Sequence, residues 1–226
     1  MTDARDNPTL DSRGLAKSRI EALADGIFAV AMTLLVLDIK STENLDFATN
    51  EGLIAYLATL EHSFAMYAIS FVVLAIFWIA HHILFHYVRH VDRRLLWMNM
   101  AFLLFVTFVP FSTDLLGDHG HLILPVIVYG MNLLALGGLL GLQLRYLASN
   151  PPLAAADLTP TVTRHMQREV WIYALIPLAS MAMSLYSPRV GMYLYLLLGI
   201  PTFAPKLDRL LHTPRPDAGG HSSEEP

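Results

Sequence analysis

The chain has 226 residues, 54% of them apolar and only 15% charged, with a mean hydropathy of +0.47. A soluble domain carries about 25% charged residues; here the apolar residues gather in long blocks, which excludes an ordinary soluble fold and predicts an all-α membrane protein. The formal net charge of −4 argues against a nucleic-acid partner, and the lack of cysteine excludes disulfide scaffolds, thiolate zinc sites and cysteine nucleophiles.

Residues 1–17 form a polar N-terminal segment. It has neither a short apolar core nor a small-residue cleavage site, so the first span is expected to act as the insertion signal. A bilayer core needs about 20 apolar residues in helical form. By that measure the first span is predicted over residues 20–39, and a lead-in helix at the outer surface over 53–60. The second span comes next over 62–86, the third over 95–116 with Pro110 near its end, and the fourth over 122–146. The stretch ASNPPLAAADLTPTVTRHMQRE reads as a loop and a short amphipathic helix. A fifth span is placed at 170–186. A sixth, over 190–204, is short and carries Gly199 and Pro201, so it is expected to tilt or bend. The six-helix domain thus occupies residues 18–211, and the Pro-, Gly- and Ser-rich tail over 212–226 is expected to be disordered. With the N-terminus inside, every Lys and Arg falls on an inner segment except Lys40 and Arg189. That asymmetry predicts an even number of spans with both termini cytoplasmic.

The first span begins with Arg19, Glu21 and Asp25 and then runs almost unbroken through apolar residues to Asp38. Charges at such depth are expensive unless they face protein or water. Potential partners lie at matching depth: Trp78, His81 and His82 near the end of the second span, and Asn99 near the start of the third. A buried network of Arg19, Asp25, one of the two histidines and Asn99 would clamp the first helix against the next two; periodicity leaves open which histidine points inward. Further along, Val30, Thr33, Leu34 and Leu37 fall at i, i+3, i+4 and i+7, on one helical face. Asp38, at the outer end, would concentrate cations at a pore mouth or simply be a solvated helix end. His82, His86 and His90 share a face with zinc-compatible spacing, but no H-E-x-x-H pattern accompanies them and three arginines surround them. Gly137 and Gly141 form a small-xxx-small pair, read first as packing within the chain. Tyr186, Tyr193, Tyr195 and the tryptophans are read as interfacial anchors and packing.

The segment Arg19-x-x-x-Leu23-Ala24-Asp25-Gly26 resembles the R-x-x-x-F-S-D-G signature of the transmembrane protein 175 potassium channels in their bacterial six-helix form. The resemblance continues through AVAMTLLVLDI, FWIAHH and LLWMNMAFLLFVTFVPFSTDLLGD, covering the first half of the chain. Leu23 and Ala24 depart from the signature's Phe and Ser, which removes one hydroxyl from the motif. The resemblance implies a homotetramer in the lipid bilayer of a prokaryotic cell, with the first helix of each subunit lining a central pore. It implies passive conduction of potassium, with no cofactor, no covalent chemistry and no T-V-G-Y-G filter. It places the hydrophobic constriction on Val30, the selectivity threonine on Thr33, and further pore lining on Leu34 and Leu37. The alternative is a proton-coupled secondary transporter working through Asp25 and the histidines, although the paired repeats usual in such proteins are not evident.

Overall fold

The structure, a computed structural model, describes residues 17–37, 39 and 49–199. They form seven α-helices: α1 (Lys17–Leu37), α2 (Asn50–Thr59), α3 (Glu61–His86), α4 (Arg93–His119), α5 (Ile123–Ala148), α6 (Pro160–Ser184) and α7 (Pro188–Leu194). Single 3-10 turns lie at Pro151–Leu153 and Tyr195–Gly199. Among the described residues, α1, α3, α4 and α5 are long and apolar enough to cross a membrane. The lead-in helix is present as α2.

Helix starts obey the local chemistry. Thr49 Oγ1 accepts from the Gly52 amide at 3.1 Å and caps α2. Asp92 Oδ1 accepts from the Leu95 amide at 2.8 Å and caps α4. Thr159 Oγ1 accepts from the Val162 amide at 3.3 Å, just ahead of Pro160, whose missing N–H costs nothing in a first turn.

The second half of the chain departs from the sequence reading. The amphipathic helix and the fifth span are one continuous helix, α6, because nothing between Gln167 and Val170 breaks it. Its apolar part from Val170 onward covers only roughly 22 Å at 1.5 Å per residue. The sixth span begins as the seven-residue α7 and passes into the turn Tyr195–Gly199; the rest of it, with Pro201, lies outside the described residues, as does the C-terminal tail.

Two packing units meet at α4. α1 lies on α3 and α4, while α5 lies between α4 and α6. Leu35, Leu74, Phe85, Phe102 and Leu136 are fully enclosed. Gly141 lets α5 approach α6: a Cβ there would stand 3.0 Å from Val170 Cγ1, which bears out the packing reading for that glycine. Gly191 is tighter still, since a Cβ would lie 2.6 Å from the Ser180 carbonyl oxygen; α7 rests directly on the α6 backbone. Tyr195 is buried rather than interfacial, and its hydroxyl donates to the Val126 carbonyl at 2.8 Å. The loops after α3 and α5 clasp each other through a bridge between Val88 and Ala154, with the Arg89 amide donating to Leu153 O at 2.7 Å and the Ala155 amide to Tyr87 O at 2.8 Å.

Candidate functional site

α1 is anchored by one face. Ile20, Ala24, Phe28, Ala31 and Leu35 recur every three or four residues and are all buried. Phe28 is the centre of this anchor, packing its ring 6.3 Å from that of His81 and 6.0 Å from that of Phe102. Sequence reasoning passed over Phe28, although its spacing from Ala24 and Ala31 was the available signal.

The opposite side of α1 carries a second periodic stripe. Arg19, Leu23, Gly26, Val30, Thr33 and Leu37 are spaced alternately four and three residues apart, and all are exposed. Val30 is 57% and Leu37 72% exposed; Leu34 flanks them at 42%. Such a 4-3 spacing forms a straight seam along a helix. Thr33 Oγ1 donates to the Val30 carbonyl at 2.8 Å. Its proton is therefore committed to the helix, and its lone pairs remain available on the exposed side. The four positions expected to line a pore are thus brought together on one uncovered face.

The expected single polar network is two separate pairs. Trp78 Nε1 donates to Asp25 Oδ1 at 2.8 Å on the exposed side of the α1–α3 contact. His81 is buried, its Nε2 lies 2.8 Å from Asn99 Oδ1, and its ring stacks between Phe85 at 4.3 Å and Phe102 at 5.4 Å. His82 is exposed and stacks on Trp78 at 5.9 Å instead of joining the buried pair. Among the described residues no ion pair links Arg19 to Asp25. Six residues apart, they differ by about 120° around the helix and about 9 Å along it, so one helix cannot bring them together. Gly26 is exposed, with open space where a Cβ would stand. Asp38 lies outside the described residues. Among those residues no group of three metal-binding side chains is assembled, and His86 instead faces Asp157 at 3.8 Å.

A second polar chain ties α3, α4 and α5 together near their other ends. Thr113 Oγ1 donates to Ser70 Oγ at 2.8 Å, Ser70 lies 3.0 Å from the Tyr129 hydroxyl, and Asn132 Nδ2 donates to Ser112 Oγ at 3.3 Å. These residues are scattered over three helices, so no sequence pattern marked them.

The family model described as endosomal/lysosomal potassium channel TMEM175 matches residues 19–110, the segment holding the α1 stripe and both polar pairs. Over those residues the chain is similar to the TMEM175 family. It is 42% identical over 101 residues to a potassium channel of Streptomyces collinus, an alignment covering 45% of this chain and 48% of that protein. It is 41% identical over 101 residues to a potassium channel of Chamaesiphon minutus, covering 45% of this chain and 49% of the relative. The chain spans about half the length of these curated relatives. Its fold matches the crystal structure of a lysosomal potassium-selective channel TMEM175 homolog from Chamaesiphon minutus with a TM-score of 0.71 and 28% identity, over 84% of this chain and 97% of the other. The TMEM175-like segment is thus the part of the molecule that holds α1 in place, while the likeness of fold extends well into the second half.

Proposed function

We propose that this chain is a subunit of a potassium-selective cation channel, a homotetramer in a prokaryotic plasma membrane whose pore is lined by α1. The observation that carries this reading is the exposed 4-3 stripe on a helix whose opposite face is locked into its own subunit. The names of the TMEM175 relatives support the choice of ion. In the assembled channel, Val30 forms the narrow apolar ring and blocks ions by dewetting, because bare apolar walls replace none of an ion's lost hydration. Thr33, with its proton turned back to Val30 O, offers oxygen acceptors to a dehydrated potassium ion just beyond that ring. Leu34 and Leu37 continue the wall, and Asp38 raises cation concentration at the outer mouth. Asp25 with Trp78 ties α1 to α3, and His81 with Asn99 ties α3 to α4 against Phe28 of α1; neither pair contacts the ion. Six spans with both termini cytoplasmic complete the reading; it invokes passive flux, no cofactor and no covalent chemistry.

The test is potassium flux from liposomes containing the purified chain, combined with single cysteines. Cys at 30, 33 or 37 should make flux sensitive to water-soluble thiol reagents, whereas Cys at 32, on a side chain packed against the core, should not. The reverse pattern would put the pore on another face, and accumulation of potassium against its gradient would replace the channel with a coupled transporter.

A further inference from the structure

We propose that Arg89, Arg93 and Arg94, beside Trp97, form a binding site for the headgroup of an anionic phospholipid, whose acyl chain runs along the exposed face of α4. The inference rests on the membrane placement proposed above, but not on the conduction of ions. All three arginines are exposed, and Arg94 also lies within hydrogen-bonding reach of the Tyr146 hydroxyl. The carboxylate between them, Asp92, is already committed: Oδ1 accepts from the Leu95 amide and Oδ2 from the Tyr146 hydroxyl. It carries one negative charge against three positive ones, so the cluster stays net positive. The backbone beneath the arginines is ordered. The Arg89 amide is held by Leu153 O at 2.7 Å in the clasp between loops, and Arg93 and Arg94 open the capped helix α4. Two cations at a helix N-terminus lie against the helix dipole, so a phosphate there relieves repulsion with both the dipole and the second arginine.

The residues further along α4 select a lipid over a free phosphate. Trp97 is four residues beyond Arg93, shares its face and is 63% exposed, as suits an indole at the headgroup boundary. Leu104 and Phe108 continue that face at 65% and 40% exposed. Charge, indole and apolar lane therefore succeed one another in the order of a phospholipid's own parts: phosphate, glycerol region, acyl chain. Clustered basic residues at the membrane surface attract anionic lipids in this way.

The experiment is native mass spectrometry of the full chain, titrated with phosphatidylglycerol or with phosphatidylcholine of the same acyl chains. Phosphatidylglycerol should be retained at least roughly tenfold more tightly. The triple change Arg89→Gln, Arg93→Gln, Arg94→Gln should abolish that preference. Single Arg93→Gln should weaken it and Arg93→Lys largely preserve it, which keeps the test decisive should the triple variant fold poorly. Equal retention of the two lipids, or an unchanged preference in the triple variant, overturns the site. Displacement of phosphatidylglycerol by millimolar inorganic phosphate would make the ligand a free anion. Crosslinking between two copies through Phe108→Cys would give the lane to a neighbouring subunit. Potassium flux in liposomes of phosphatidylcholine alone is the independent control: flux without lipid preference removes only this site, and preference without flux removes only the channel reading.

Discussion

At Asp25 a carboxylate on the flank of α1 takes its hydrogen bond from an indole, not from an arginine. The pair is a pin between α1 and α3, and it can be removed from either side. Trp78→Phe keeps the ring but deletes the donor; we expect a smaller assembled fraction by size-exclusion chromatography and reduced potassium flux. Asp25→Asn, which keeps an acceptor oxygen, should lose less than Asp25→Ala. Normal assembly and flux in both Trp78→Phe and Asp25→Ala would remove the pin from the account. Gln143 makes the opposite case. It is fully buried on α5, and neither of its amide atoms has a partner among the described residues. An unmatched buried polar group costs about 1–3 kcal/mol, so Gln143→Leu should raise the thermal midpoint in detergent. A lower midpoint would mean that the amide is satisfied in the membrane protein by a bound water.

In the channel proposed above the element that lines the pore is α1, and its two faces differ. One face, centred on Phe28, binds the helix to its own subunit; the other, from Arg19 to Leu37, is left open. Changes on the open face should alter permeation without unfolding the chain. Val30→Ser should wet the apolar ring, raising conductance and lowering potassium-over-sodium discrimination in bilayer recordings. Thr33→Val removes the hydroxyl from the stripe and should lower selectivity or current while the elution volume stays that of the wild type. Phe28→Ala, on the closed face, should instead cost about 3–5 kcal/mol by leaving a cavity between His81 and Phe102. A stable Phe28→Ala protein with altered selectivity would exchange the roles of the two faces.

At the scale of the whole molecule, the second half of the chain is assembled through close backbone approaches. Gly191→Ala must push α7 off the Ser180 carbonyl, and overpacking of this kind costs about 1–3 kcal/mol. We expect a lower thermal midpoint and, if α6 and α7 only buttress the pore, unchanged ion selectivity in the channels that remain. A change in selectivity would show that the α6–α7 contact is coupled to α1. The number of subunits belongs to this scale too, and mass measurement of the detergent-solubilised oligomer should give four chains.

Composition and hydropathy alone determined that this is a helical membrane protein, because apolar blocks of the right length dictate helices in a medium without water to satisfy the backbone. The Arg19 to Gly26 motif and the Val30, Thr33, Leu37 spacing were also readable in the sequence, since both are local and helical periodicity projects them onto a face. The fate of α6 was not: an amphipathic start and an apolar end look like two elements until the backbone is seen to run through both. Nor could periodicity choose between His81 and His82, which lie only about 100° apart on a helix. The choice was made by the rings of Phe85 and Phe102, one from the same helix and one from another, which enclose His81 and leave His82 outside. Partners contributed by distant parts of the chain decide such matters, and those partners are set only when the helices pack.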